Sequence, residues 1–446
     1  MQGHLFSFFN TAITNCLLSL QDMKNETSNM KARLALMSFL QFAVWGAYLT
    51  SMGTYLSKVG LGAQIGYFYS MQGVVALFMP ALMGIVADRW IPAQKLLAGC
   101  HFISALFMTL AGCYGMSAGT SVDFVSLISL YAVALGFYMP TLALTNSVAY
   151  TALDKVKLDP VKAFPPIRVF GTVGFICSML LVDVTGFQYS YMQYFTSAVF
   201  GLLMAGYSLT LPHCPVNRMK EKKSLADALG VRAFALFKQR KMAIFFIFCV
   251  MLGVCLQITN GFANPFLNSF ASIPEYADAF GVRHANVLIS LSQMSETFCL
   301  LLIPFALKRL GIKWVMLVAM FCWVLRFSLF GFGNPGSGLW MFILSMLVYG
   351  IAFDFFNISG SLFVNQETDI SIRSSAQGLF FMMTNGLGAT IGTFTAQKVV
   401  NCFVDFNSTA PQVEGWSTSW LIFAGYALVI TVLFACIFKD KYNTNK

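Results

Sequence analysis

Tyr349-Gly350-Ile351-Ala352-Phe353-Asp354-Phe355-Phe356-Asn357-Ile358-Ser359-Gly360 is the stretch whose reading decides the fold. It lies inside an apolar run from Trp340 to Val364, and about 20 such residues suffice for one helix to cross a bilayer. Within the run stand a carboxylate, an amide, a tyrosine and two glycines. An Asp in the hydrocarbon core costs at least about 2.5 kcal/mol even on a lenient insertion scale. Asp354 therefore reads as facing a water-filled or protein-lined cavity and acting there. The competing reading is a structural pairing with a neighbouring helix.

The rest of the chain has the same character. Of 446 residues, 57% are hydrophobic and only 10% charged, where a soluble protein carries about 25% charged residues. Mean hydropathy is +0.70. A membrane β-barrel would show alternating segments of about 10 residues rather than long continuous apolar runs, so an all-α integral membrane protein is expected. The net charge of +10 comes from Lys and Arg set in alternate loops, the pattern that orients a membrane protein. Nucleic-acid binding needs one basic face or arm, so no nucleic-acid partner is expected. The eleven Cys include no CxxC pair and mostly sit in apolar runs, which suits small apolar fillers better than a disulfide framework or a metal site. The four His show neither HxxH nor HExxH spacing, so no metal is expected. No Ser-His-Asp set or phosphate loop marks a membrane-boundary enzyme, and no appended soluble domain marks a receptor, so no catalytic residue is assigned.

Twelve spans follow from the apolar runs: Leu34–Leu56, Ile65–Ala87, Leu96–Met116, Phe124–Ala149, Pro165–Asp183, Gln193–Leu211, Met242–Ala263, Ala285–Leu307, Trp314–Phe332, Trp340–Val364, Ser375–Val400 and Trp420–Phe438. They divide into a six-helix half over 30–211, a cytoplasmic central loop over 212–241 and a second six-helix half over 242–438. Residues 439–446 form a tail. Residues 1–29 read as a disordered extension or an upstream start, with Met23 and Met30 as alternative starts. Pro165-Pro166 suits the first turn of the fifth span. Ala226–Phe237 reads equally as an amphipathic surface helix and as a solvated linker. Only Lys58, Arg283 and Lys398 fall in the loops opposite the basic ones, so both termini are expected in the cytoplasm. The halves echo each other. Pro80, Asp88-Arg89 and Lys95 close the second span as Pro304, Lys308-Arg309 and Lys313 close the eighth, which is weak internal repetition of the kind parallel transporter halves carry.

Polar residues in the spans fall on shared helix faces, three, four or seven residues apart. Arg168, Thr172 and Phe175 share one on the fifth span. Gln257 and Asn260 share one on the seventh, and Gln293 and Glu296 one on the eighth. Tyr349, Phe353 and Asn357 form a stripe on the tenth with Asp354 beside it. Helix packing in a membrane needs small residues and occasional amides. It does not need Arg, Glu and Asp on three different helices. Other positions carry plainer expectations. Arg326 reads as a structural pair or an arm snorkelling to the interface, Asp183 as solvated, and His101 as a packed helix residue. Gln41, Trp45 and Tyr48 read equally as cavity lining and as core. Asn385-Gly386-Leu387-Gly388 reads as a close helix contact.

The twelve spans, the basic central loop and Gly84-x-x-x-Asp88-Arg89 followed by Lys95 resemble the major facilitator superfamily, with Asp88 and Arg89 as its conformational motif, in a degenerate copy. Within it the chain resembles the nucleoside:proton symporters. That resemblance rests on Ser38-Phe39-Leu40-Gln41-Phe42 with Trp45-Gly46, Phe78-Met79-Pro80-Ala81-Leu82, Phe164-Pro165-Pro166-Ile167-Arg168, Leu256-Gln257-Ile258-Thr259-Asn260, Ser292-Gln293-x-Ser295-Glu296-Thr297, the opening stretch, and Met382-Met383-Thr384-Asn385-Gly386. It runs from about Lys31 to Lys439.

The resemblance implies proton-coupled nucleoside import across a bacterial inner membrane, with a sugar or other small polar solute as the alternative cargo. It implies a nucleoside and protons as partners within the lipid bilayer, no cofactor beyond the coupling proton, and a monomer. It places the substrate among Arg168, Thr172, Phe175, Gln257, Asn260, Gln293, Glu296, Tyr349, Phe353 and Asp354. Those residue types suit a nucleoside. Ribose hydroxyls take carboxylates and amides, and a base takes amide edges and an aromatic face. Glu296 and Asp354 are the candidate proton carriers. Glu296 is placed to pair with Arg168. Asp354 has no cation partner evident in the sequence and stands amid Phe353, Phe355 and Phe356, which makes it the expected coupling carboxylate.

Overall fold

The computed structural model describes residues 27–214, 216, 231–369, 372–408 and 410–438, apart from the side chains of residues 88, 161, 162, 231, 232, 373 and 374. The terminal extension up to residue 26, most of the basic central loop, the first part of the 226–237 segment, the tail and the Asp88 side chain lie outside that description.

Every regular element among the described residues is helical. A helix over residues 27–46, α1, runs into turns at 47–51 and resumes as α2, Met52–Lys58. Then come α3 (Ile65–Arg89), α4 (Ala93–Ala118), α5 (Phe124–Lys155), α6 (Pro160–Val184) and α7 (Met192–Ser208). Beyond the central loop, a 3₁₀ segment over Val231–Lys238 leads into α8 (Arg240–Leu256) and α9 (Ile258–Ser269). The short α10 (Phe280–Arg283) precedes α11 (Ala285–Phe332) and α12 (Leu339–Glu367). Then α13 (Arg373–Phe381), a π-helical turn over Met382–Gly388 and α14 (Ala389–Phe403) lead to α15 (Val413–Ile437).

Among the described residues, eight helical stretches, α8 and α9 counted together, are long and apolar enough to cross a membrane, and one of them must cross twice. At 48 residues, α11 would be about 72 Å long at 1.5 Å per residue, more than twice a hydrocarbon core of about 30 Å. It folds back at Gly311, whose φ of 76° and ψ of 169° belong to a backbone region open essentially to glycine alone. Seven single crossings and one double make nine. The broken span α1–α2, the 17-residue α7 and the interrupted span α13–α14 bring the total to twelve, in two six-helix halves.

Local chemistry explains several boundaries. Asp123 starts α5 by accepting from the Ser126 backbone N–H at 2.8 Å and its hydroxyl at 2.9 Å, and these donors hold the exposed carboxyl below its usual range. The expected start of the fifth span at Pro165 moves to Pro160. Pro160 takes the first turn, where a missing N–H costs nothing, and Pro165 and Pro166 follow inside the helix on an exposed face. The π turn lies where two backbones touch. A Cβ on Gly388 would sit 2.6 Å from the Val250 carbonyl oxygen and 2.7 Å from Gly253 Cα, so the glycine-rich stretch is the close helix contact expected of it.

At the end of the bundle away from the termini, polar groups join the two halves. Thr50 donates to Asn286 at 2.9 Å and Thr54 to Asn264 at 2.7 Å, while Asn264 donates to Asn286 at 2.7 Å. Tyr189 donates to Asn268 at 2.8 Å, and the Gly66 N–H donates to Gln397 at 2.5 Å. Asp183, expected to be solvated, is instead completely buried at its side chain. Its carboxylate accepts from the Asn286 backbone N–H at 3.1 Å and meets His284 Nδ1 at 2.6 Å. The cause is the start of α11, which carries no side-chain cap of its own. Free N–H groups at a helix N-terminus attract an anion, and here the anion comes from α6 in the other half.

Candidate functional site

The opening stretch is helical throughout, inside α12. Its glycine sets the geometry of the site. A Cβ on Gly350 would lie 2.5 Å from the Ser295 carbonyl oxygen and 2.7 Å from the Glu296 N–H nitrogen. The bare backbone of α12 thus presses on the turn of α11 that carries Glu296, and it brings Tyr349 and Asp354 beside that carboxylate. On the other side of the site, Gly174 in α6 packs against the backbone of Phe39 in α1. That approach lets the Phe42 ring lie 3.7 Å from the guanidinium carbon of Arg168, an attraction between cation and ring face.

Five of the ten expected substrate residues come together directly. Arg168, Glu296, Tyr349 and Asp354 lie within electrostatic reach of one another in a chain: Arg168 with Glu296, and Glu296 with both Tyr349 and Asp354. The Phe353 ring stacks on that of Tyr349, 5.6 Å apart and 17° from parallel. Phe175 joins through Trp45, which meets it edge-on at 6.4 Å and touches Phe42 at 6.4 Å. Gln257 and Asn260 hydrogen-bond each other at 2.8 Å, with Gln257 at the break between α8 and α9. Thr172 and Gln293 are half-buried one turn from Arg168 and Glu296, and no recorded contact ties either to the cluster.

Two expectations change. Arg168 and Glu296 attract each other without forming a direct ion pair, because the guanidinium is drawn onto the Phe42 ring. The ion pairs described lie elsewhere, such as Lys241 with Glu367 at 2.6 Å. Asn357 donates to the Phe353 carbonyl at 2.9 Å, so its amide is engaged with its own helix. Arg326 does not snorkel, being 2% exposed, and no described carboxylate pairs with it. His101 is fully buried and meets Gln41 at 2.8 Å. Gln41 in turn bonds Thr141 and Thr145, so these groups form a polar core of the first half. Arg89 ends α3.

Among the described residues, Asp354 Oδ2, Trp45 Nε1 and Arg326 Nε are buried at the site without a hydrogen-bond partner. Buried polar groups are nearly always satisfied. The donor set is poor in His and thiolates, and no cluster of His, Cys, Asp and Glu able to hold a metal occurs among the described residues. A separate cavity of about 450 Å³ lies between the halves at the end away from the termini, lined by Lys58, Tyr189, Asn268, Arg283, Asp405 and Trp416 among others. It includes none of the ten.

The sequence reading missed Phe42 as the partner of Arg168 and Trp323 behind Tyr349, and it read Arg326 as a structural pair or a snorkelling arm rather than as a neighbour of the Tyr349 ring. An Arg in an apolar span was the available signal for the latter. An aromatic in a chain that is 15% aromatic gave none for the former.

The family profile described as nucleoside H+ symporter matches residues 28–443. The chain belongs to the nucleoside proton symporter family. It is 47% identical over 417 residues to xanthosine permease of Escherichia coli K12, covering 93% of this chain and 97% of that one. Over the same length it is 46% identical to nucleoside permease NupG of the same organism, with the same coverage. The crystal structure of a single-site variant of nucleoside transporter NupG superposes with a TM-score of 0.87 at 45% identity, covering 92% of this chain and all of that one. The fold is that of the major facilitator superfamily, in a multi-pass membrane protein.

Proposed function

We propose that the protein imports nucleosides together with protons across the bacterial inner membrane by alternating access. The site is built from Arg168, Thr172, Phe175, Gln257, Asn260, Gln293, Glu296, Tyr349, Phe353 and Asp354. Asp354 is the coupling carboxylate. The observation that carries this reading is the open Oδ2 of Asp354, 6% exposed and beside Glu296 and the Tyr349–Phe353 stack. No donor among the described residues bonds that oxygen, which leaves it available to a proton or to a ligand hydroxyl. Family membership supports both the cargo class and the coupling ion.

In this scheme the aromatic pair receives the base, the carboxylates and amides hold the ribose, and proton occupancy of Asp354 links the gradient to the turnover of the carrier. Residues of both halves contribute, as alternating access requires. The basic loops place both termini in the cytoplasm. The bundle end sealed by Asp183, Asn264 and Asn286 then faces outward. The carrier works as a monomer, with no cofactor.

Uptake into proteoliposomes under an imposed pH gradient tests the scheme. Asp354→Asn should abolish gradient-driven accumulation of uridine and keep uridine exchange at equal concentration on both sides. Accumulation that persists in Asp354→Asn would remove the coupling role. Inhibition of wild-type uptake by sugars rather than nucleosides would replace the cargo.

A further inference from the structure

Arg326 is the largest cost in the second half that the proposed mechanism leaves unused. A cation in the middle of an apolar span is expensive. This one has no described carboxylate partner, and its Nε makes no hydrogen bond. Its remaining contacts converge on the site. The guanidinium carbon lies 4.6 Å from the centre of the Tyr349 ring. Nη1 donates to the Ser345 carbonyl at 2.6 Å and reaches the Ser292 hydroxyl at 3.4 Å. The Ser345 hydroxyl returns a bond to the Arg326 carbonyl at 3.0 Å. Ser345 stands one turn before Tyr349 on α12, and Ser292 one turn before Glu296 on α11. One turn along from Arg326, Trp323 donates to the Ala352 carbonyl at 3.1 Å and meets the Tyr349 ring edge-on at 6.0 Å.

We infer that Arg326 is a positioning residue for nucleoside recognition: it ties the turn carrying Glu296 to the turn carrying Tyr349 and holds the Tyr349 ring flat against Phe353. The inference rests on the reading that Tyr349 and Glu296 meet the substrate. A plain structural tie would need only a hydrogen-bonding side chain between helices. The planar guanidinium does more, because it packs on the Tyr349 ring face while Nη1 reaches Ser345 on α12 and Ser292 on the other side of the Gly311 fold in α11. Lys keeps the charge and a donor but has no plane to lay on the Tyr349 ring.

The test is nucleoside uptake by purified, reconstituted protein, with KM and maximal rate measured separately and thermal stability in detergent as a control. Arg326→Lys should raise KM on the order of tenfold with a smaller change in maximal rate and a melting temperature close to the wild type. Arg326→Met should raise it further. In a Tyr349→Leu background the Arg326→Lys effect on KM should largely disappear, because contacting residues that act together are not additive. An unchanged KM in Arg326→Lys, or an effect that adds in full to Tyr349→Leu, would overturn the inference. Should Arg326→Met fail to accumulate, Arg326→Lys and Ser292→Ala, which removes one acceptor at little cost in volume, carry the same comparison. Wild-type protein that transports no nucleoside would instead overturn the cargo on which the inference stands.

Discussion

Glu296 and Asp354 share one environment but differ in what surrounds them. Glu296 feels the guanidinium of Arg168, whereas Asp354 Oδ2 meets no donor among the described residues. The carboxylate with a fixed cation nearby is suited to hold hydroxyls, and the open one to exchange a proton. Glu296→Gln should therefore weaken binding of a ribonucleoside by about tenfold or more, and change binding of its 2′,3′-dideoxy analogue much less, because a site built to bond a hydroxyl loses little on a ligand that lacks it. Calorimetric titration of both ligands measures this. Equal losses for the two would take Glu296 away from the ribose. Charge made this scale partly legible. Arg168, Glu296 and Asp354 stood out in the sequence because each is costly in hydrocarbon. Phe42, whose ring lies against Arg168, did not stand out, because its role lies in which ring meets which cation and not in composition.

Helix contacts at the site depend on missing side chains. Gly350 puts the backbones of α12 and α11 in contact, and in a membrane such close approach replaces the hydrophobic drive that holds soluble helices together. Gly350→Leu should separate the two turns that bear Tyr349 and Glu296 and reduce nucleoside uptake at least tenfold. Gly425→Leu, where a Cβ meets nothing within 4 Å, should leave uptake near the wild type. Uptake per unit of protein in the membrane distinguishes them, and equal effects would mean that the contact is incidental. The spans themselves were readable from apolar runs, yet three of their interruptions were not. The turns at 47–51, the break at Gln257 and the π turn at 382–388 leave hydropathy untouched. They arise from packing between helices distant in the chain, such as Gly388 against Val250 and Gly253. The fold-back at Gly311 lay where the sequence placed a basic loop, and only its joining of two spans into one 48-residue helix was unforeseen.

On the scale of the whole molecule, polar bonds from Thr50 and Thr54 to Asn286 and Asn264 seal the halves together at the end away from the termini. The basic loops and the twofold echo of Pro80 and Pro304 made two halves legible in the sequence. The seal was not legible, because Thr54, Asn264 and Asn286 are ordinary polar residues until the fold sets them opposite one another. Asp183 read as solvated because its partner, the uncapped start of α11, is a hundred residues away in the chain. If transport requires this seal to open, then fixing it shut must stop transport without harming the site. Thr54 Oγ1 and Asn264 Oδ1 are 2.7 Å apart across the seal, so a protein carrying Thr54→Cys and Asn264→Cys, with the exposed native Cys113, Cys177, Cys402 and Cys436 replaced, is positioned for a short thiol crosslinker. Crosslinking should abolish uptake, reduction of a disulfide-containing linker should restore it, and each single cysteine variant should be indifferent to the reagent. Nucleoside should still bind the crosslinked protein from the side of the termini, since the seal lies at the other end of the bundle. Uptake that continued with both cysteines linked would mean that the halves need not part there, and substrate would have to enter by some path other than between them.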